Sequence, residues 1–350
     1  MAPHIKALMY ISIGLGTTIT FSSWHWLFTW IGLEINTLAI IPLMAQKNHP
    51  RGTEAATKYF LIQSAATGVF LFAMILNAHL VPEWTVKLIE HPIACVLMVV
   101  ALTMKLGLAP FHYWLPEVMQ GLDLTTGLIL STWQKMAPFA VLLQINYTPF
   151  PELLVLIGVV SIVAGLAGLN QTEVRKILAY SSTTHMGWIF LIIICSPNLA
   201  ILSFGIYVFM VSAVFLTLKE TSSTKINTLS LSWSKKPILA VILLLTLLSL
   251  GGLPPLTGFM PKWLILNEMV AQALTFPAVV ATAGTLANLF FYLRLCYTTT
   301  IVYFTVGLMI KLPWRSLIKQ PAIPSAIVSS AALILLPLTP LVWALSLLIY

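Results

Sequence analysis

Charge is what this sequence has least of. Its 350 residues hold only 18 Lys and Arg and 10 Asp and Glu, so 8% of the chain is charged, where a soluble domain carries about 25%. A water-facing surface of this size cannot be built from so few charged side chains, which excludes a solvated globular enzyme. Cysteine is also scarce: Cys95, Cys195 and Cys296 lie far apart in apolar stretches. With no C-x-x-C pair and no histidine at ligand spacing, they argue against an iron–sulfur cluster, structural zinc or a disulfide framework. Paired span histidines able to hold haem are missing too, since His4, His49, His79 and His91 fall at ends or in loops. A net charge of +8 without a basic stripe on a soluble fold does not make a nucleic-acid binder.

What the chain has in plenty is apolar surface: 59% hydrophobic residues and a mean hydropathy of +0.96, so that the solvent for most of it is lipid. Apolar runs long enough to cross about 30 Å of hydrocarbon fall near 3–21, 24–45, 57–80, 92–115, 124–146, 149–170, 174–195, 198–221, 237–270, 275–304 and 323–347. They are continuous rather than alternating, which excludes a β-barrel. The expectation is an all-α polytopic membrane protein of about 11 transmembrane helices, with 1–350 forming one integral membrane domain and no soluble domain. The first 23 residues hold one Lys and no Arg, unlike an Arg-rich transit peptide. Trp24 and Trp26 stand where a signal-peptide cleavage site would want small residues, so the first span is expected to be retained.

Each crossing moves the next loop to the other face. On that count Lys6, Lys47, Arg51, Lys58, Arg175, Lys176, Lys219, Lys225, Lys235, Lys236, Lys311, Arg315 and Lys319 share the face of the N-terminus, and Lys87 stands alone opposite. The positive-inside rule makes the first face cytoplasmic, or the matrix in a mitochondrion, and puts Tyr350 on the other side.

Charges at mid-membrane depth carry the functional signal, because each costs about 2.5–3.5 kcal/mol on insertion scales. Glu34, Lys105, Lys135 and Lys262 occupy such positions, whereas Lys58 and Arg294 can snorkel to an interface. One central carboxylate cannot neutralise three lysines, and a desolvated lysine that exchanges between charged and neutral forms can relay a proton. Two spans are also broken. Gly107, Pro110 and Pro116 interrupt one beside Lys105; Gly251, Gly252, Pro254, Pro255 and Pro261 interrupt the other beside Lys262. Proline removes a donor and frees a carbonyl, so each break must face protein or a hydrated cavity. The broken spans lie five crossings apart and therefore run in opposite directions, the arithmetic of an inverted repeat.

Five phrases carry a resemblance: WIGLEINTLAIIPLM at 30–44, EAATKYFL at 54–61, KLGLAPFHYWLPEV at 105–118, NQTEVRKILAYSSTTHMGW at 170–188 and GGLPPLTGFMPKW at 251–263. The chain resembles the antiporter-like membrane subunits of respiratory complex I. The resemblance implies an antiporter-like fold with inverted repeats and two broken helices. The implied role is that of a core membrane-arm subunit of a proton-translocating NADH:ubiquinone oxidoreductase, coupling electron transfer elsewhere in the complex to proton movement. It places the chain in the inner mitochondrial membrane, with the N-terminus on the matrix side and the C-terminus on the intermembrane-space side. By motif, Glu34 is the helix carboxylate, Lys105 the broken-helix lysine that pairs with it, Lys135 the connecting lysine and Lys262 the lysine of the second broken helix. His112 and His185 would extend a hydrated chain or, more simply, pack. No cofactor is expected in this chain, with NADH, FMN, iron–sulfur clusters and ubiquinone handled by other subunits. Adjacent antiporter-like and small membrane-arm subunits and lipid are the expected partners, nucleic acid is not, and the chain should not be a homo-oligomer. Bacterial members have more spans than this chain, a difference that looks like loss of N-terminal helices. A free-standing cation/proton antiporter and a structural membrane spacer are the rival readings from the residues alone.

Overall fold

A computed structural model describes residues 3–46, 49–81, 83–86, 89, 91–145, 151–306, 323–334 and 344. Lys47, Lys87, Lys311, Arg315 and Lys319, and residues 335–343 and 345–347 of the last apolar run, lie outside the described residues. The described chain is helical: α1 (Pro3–Ser22), α2 (Trp26–Met44), α3 (Pro50–Leu80), α4 (Pro92–Leu106), α5 (Trp114–Gly121), α6 (Leu124–Ser131), α7 (Trp133–Gln144), α8 (Pro151–Ala164), α9 (Val174–Ile192), α10 (Pro197–Thr221), α11 (Ile226–Ser230), α12 (Ser232–Lys235), α13 (Pro237–Gly251), α14 (Phe259–Ala271), α15 (Thr275–Val306) and α16 (Ile323–Ile334), with a 3-10 segment at Gly165–Asn170. Extended pairing among these residues is limited to two isolated bridges, His25 with Thr85 and Glu173 with Lys225. Six helices are long and apolar enough to cross a membrane, and three shorter apolar ones, Pro92–Leu106, Pro237–Gly251 and Ile323–Leu333, accompany them.

Helix starts follow from chain chemistry. Proline opens α3, α4, α10 and α13, where its missing N–H is no loss and its fixed φ suits the first turn. His25 and His49 cap α2 and α3, their Nδ1 atoms accepting the N–H groups of Leu27 and Arg51 at 3.2 Å. The apolar run at 237–270 is split into α13 and α14, and that at 92–115 into α4 and α5, at the glycine and proline clusters. The run at 124–146 is split as well, at Thr132, a turn residue between α6 and α7 whose φ of −114° and ψ of −70° stretch the right-handed helical conformation. Nothing in the local sequence marks that interruption.

The chain forms two compact units, residues 1–161 and 162–350. In the first, α1 and α2 form a hairpin whose backbones meet at glycines: a Cβ on Gly32 would lie 2.9 Å from the Gly16 carbonyl oxygen and 2.6 Å from Thr20 Cγ2. Small residues permit this approach, which in lipid replaces hydrophobic burial as the source of helix association. Helices α3, α4, α5 and α7 complete the unit around α2. In the second unit α9 is buried along almost its whole length, with α10, α14 and α15 packed around it. Its run Ser181, Ser182, Thr183 and Thr184 turns each hydroxyl back to the carbonyl three residues earlier at 2.7–2.8 Å, so four polar side chains are buried without a dangling donor.

Gly32→Val should destabilise the α1–α2 hairpin by about 1–3 kcal/mol through overpacking. The measurement is the thermal midpoint of the purified assembly, with Gly14→Ala, a half-buried position of α1 where a Cβ meets nothing within 4 Å, as the control that adds a Cβ without overpacking and should not lower the midpoint.

Candidate functional site

Both helix breaks close with the same local structure. At the first, Gly107 takes φ 71°, its N–H reaches the Met104 carbonyl at 3.3 Å and the Leu108 N–H reaches the Thr103 carbonyl at 3.0 Å. At the second, Gly252 takes φ 85°, its N–H reaches the Ser249 carbonyl at 3.0 Å and the Leu253 N–H reaches the Leu248 carbonyl at 3.5 Å. These are paired Schellman closures, each with glycine at the left-handed position, which it takes without the Cβ penalty. Each closure satisfies two of the carbonyls freed at the helix end and leaves the last ones to other donors.

Those other donors differ between the breaks. At the first, Gln63 from α3 donates to the Lys105 carbonyl at 3.4 Å, and the Trp114 indole N–H adds a second bond to the Met104 carbonyl at 3.1 Å. At the second, Lys262 itself folds back from α14, its Nζ 2.9 Å from the Gly251 carbonyl oxygen and 3.4 Å from that of Leu250. An ammonium at a helix C-terminus also meets the negative end of the helix dipole, worth about 0.3–1 kcal/mol at exposed sites. The Lys262 side chain passes directly over Gly252, where a Cβ would stand 2.8 Å from Nζ. Gly258 lets the loop turn back on the helix end, with a would-be Cβ 1.7 Å from the Ser249 carbonyl oxygen. Pro254 and Pro255 are exposed at this turn and Pro110 at the other, so the prolines shape the breaks without entering the chemistry.

Because Trp114 and Gln63 cap the first break, Lys105 is left free of that task. Its side chain is buried at 6% exposure and its Nζ has no hydrogen-bond partner among the described residues. It lines a cavity of about 20 Å³, measured to the centres of water-sized spheres, that Lys135 from α7 lines as well. One water needs about 10–15 Å³ by that measure and two to four polar partners. The wall supplies them: Asn36 and Thr37 from α2, Tyr59 and Gln63 from α3, and Gln134 beside Lys135. Gln134 donates to both the backbone and side-chain oxygens of Asn36 at 3.3 Å, fastening α7 to α2.

Sequence reasoning placed Lys105 and Lys135 at mid-membrane depth, and the fold brings them to one cavity. Glu34 stands near the middle of α2, half-buried, and attracts Lys105 electrostatically. The direct ion pair expected between them is not closed, because Lys105 faces the cavity and Glu34 does not line it. His112 is buried in the first break, its ring 4.3 Å from that of Tyr113 and outside the cavity wall. His185, on α9 in the second unit, packs 5.6 Å from the Tyr207 ring. Lys262 belongs to the second break. Lys58, read from sequence as a snorkelling residue, binds Glu54 and, across to α5, Glu117, each at 2.8 Å. Arg294 donates to the Leu169 carbonyl at 2.8 Å.

Tyr59, Gln63, Asn36 and Gln134 were missed. The available signal was the amide: three uncharged amide side chains within apolar runs, of which Gln134 precedes Lys135 and Asn36 follows Glu34 by two positions. Among the described residues no group of three or more His, Cys, Asp or Glu gathers as a metal site.

A lysine stands beside each of two glycine-closed breaks, and one of the two shares a polar cavity with a second buried lysine, within a helical membrane fold of the antiporter type. Residues 23–287 match the family model described as the transmembrane region of NADH:quinone oxidoreductase and Mrp antiporters, and residues 289–343 match that of the NADH dehydrogenase subunit 2 C-terminus. The NADH-ubiquinone oxidoreductase chain 2 of Salmo salar is 54% identical over 343 residues, covering 98% of each chain. A chain of respiratory complex I from Thermus thermophilus, solved with bound aureothin, superposes with a TM-score of 0.83 at 29% identity, covering 98% of this chain and 78% of that one. A chain of the membrane-bound sulfane sulfur reductase, an archaeal respiratory membrane complex, shares the fold with a TM-score of 0.83 at 18% identity, over 97% of this chain and 74% of that one. The chain belongs to the NADH-ubiquinone oxidoreductase chain 2 family within the larger antiporter-type class.

Gly107→Ala and Gly252→Ala should each destabilise the protein by about 1–2 kcal/mol, the penalty for a left-handed residue with a Cβ. A drop in the thermal midpoint of the assembly in both variants is the expected reading. Midpoints equal to wild type would show that the closures do not need glycine.

Proposed function

We propose that this chain is a proton-translocating membrane-arm subunit of respiratory complex I, lying in the inner mitochondrial membrane and drawing its energy from NADH oxidation and ubiquinone reduction in other subunits. Full-length relationship to the chain 2 family supports that assignment. The observation that carries the proton path is the cavity walled by both Lys105 and Lys135 under a broken helix.

On this reading Lys105 holds a proton in the field of Glu34. When charge moves in the neighbouring subunit that field changes, and Lys105 passes its proton through the polar cavity towards Lys135. The proton continues towards Lys262 and leaves on the face opposite the N-terminus, while Lys105 is reloaded from the matrix. Lys262 has two carbonyl partners where Lys105 has none among the described residues, which suits the one to hold and the other to exchange. His112 and His185, packed on Tyr113 and Tyr207, serve as supports on this reading. The chain would cross the membrane eleven times, as counted from its apolar runs, with the inverted-repeat arithmetic that its two broken spans carry in sequence. The matrix would hold the N-terminus and the intermembrane space the C-terminus. The whole would act as one integral membrane domain without a redox centre of its own, flanked by other membrane-arm subunits.

Lys105→Ala in the intact complex, reconstituted into vesicles, should lower the protons moved per NADH oxidised. Lys262→Ala, tested separately, should do the same. An unchanged proton-to-electron ratio in both would overturn the relay and leave a structural role for the chain.

A further inference from the structure

Tyr59 is a polar group at the centre of the first unit to which the relay above assigns no part. It is 2% exposed and belongs to α3, one residue after the lysine that ties α3 to Glu117 of α5. Its ring meets the Trp114 ring edge-on, with centroids 5.7 Å apart and planes at 62°. That contact fixes the tyrosine against the indole that caps the broken end of α4. The residue lines the same cavity as Lys105 and Lys135, and the charge of Glu34 acts on it as on Lys105. Of the cavity's side chains it is the one phenol, and a phenol both donates and accepts a hydrogen bond through one oxygen. The amides Gln63 and Gln134 already spend donors on the Lys105 and Asn36 carbonyls, which fits them to fix the walls. The phenol, its ring pinned, keeps a hydroxyl that turns about the C–O bond.

We infer that Tyr59 is a relay hydroxyl between Lys105 and Lys135, its ring anchored by Trp114 and its oxygen serving the cavity that both lysines line. The inference rests on the proton path proposed above. In the transfer step the phenol oxygen accepts a proton originating at the Lys105 ammonium while its own proton passes on towards Lys135. One O–H bond forms as the other breaks, Lys105 becomes neutral, the proton is carried to the Lys135 side, and the tyrosine is unchanged. Rotation about the C–O bond then resets it. Polar cavity neighbours such as Thr37 and Gln134 orient the hydroxyl or any water it meets.

Tyr59→Phe tests this, because phenylalanine keeps the ring that meets Trp114 and removes only the oxygen. The assembled complex carrying Y59F is reconstituted into phospholipid vesicles beside Lys105→Ala and wild type, and proton uptake per NADH oxidised is followed across the pH range of turnover. The expected result is full assembly, retained NADH oxidation, and a loss of protons per electron comparable to that of Lys105→Ala. A wild-type ratio at every pH in Y59F, with a lowered ratio in Lys105→Ala, would overturn the relay hydroxyl and leave the lysine path standing. Wild-type ratios in both would remove the path and the inference together. Failure of Y59F to assemble would also overturn it, since the hydroxyl would then be a folding group.

Discussion

A helix that stops inside a bilayer leaves its last carbonyls without partners, and hydrocarbon offers none. Each unsatisfied group costs several kcal/mol, so every break must bring its own donors. The two Schellman closures supply the first of them from the backbone, through Gly107 and Gly252. What supplies the remainder decides what each break can do. Where Trp114 and Gln63 cap the helix end, the adjacent lysine is released to face a cavity. Where Lys262 caps it, the lysine is held by dipoles. The same closure thus leaves one lysine facing a cavity and the other bonded to carbonyls, which in the proposed relay makes the first an exchanging site and the second a holding site.

Helix α3 turns the first break into a defined object. Along little more than one turn it presents Lys58 to Glu117 on α5, Tyr59 to Trp114 and Gln63 to the last turn of α4. Both halves of the broken helix therefore refer to one straight helix rather than to each other. Exposed ion pairs contribute little to stability, so the value of the Lys58 bridge lies in register: it sets where α5 begins relative to the cavity wall. A displacement of α3 would move Trp114, the Lys105 carbonyl and Tyr59 together, so a mechanical change in one packed element would reach the cavity that Lys105 lines.

The spans were legible because lipid imposes a length on apolar runs, and α1, α2, α9 and α10 begin and end within a few residues of where hydropathy placed them. The breaks were legible because glycine and proline announce them. Lys105 and Lys135 were legible as expensive charges, and the phrases around them as family motifs. The cavity that joins them was not. It depends on which face of each helix turns inward, and Asn36, Gln63 and Gln134 look in sequence like any polar residue tolerated in a span. Thr132 was invisible for another reason: threonine fits a helix well enough that only tertiary packing reveals the interruption three residues before Lys135. Lys58 was underread because its second partner is 59 positions away.

Glu34 illustrates how a residue outside the cavity still governs it. One of its carboxylate oxygens is buried without a hydrogen-bond partner among the described residues, so the charge is not spent on a local contact. In an interior of low effective dielectric a unit charge acts on another more strongly than it does across water. Salt screens such a partly buried pair much less than one at the surface. The field of Glu34 therefore acts on Lys105 and Tyr59 at a distance where no atom needs to move, and a charge arriving beyond α2 would act on the same proton by the same law. Had the carboxylate closed a direct bridge to Lys105, the proton would have been fixed in place. Lys105 thus meets a polar cavity and the field of Glu34 without a direct bridge between the two, and in the proposed relay that separation is what leaves the proton able to travel.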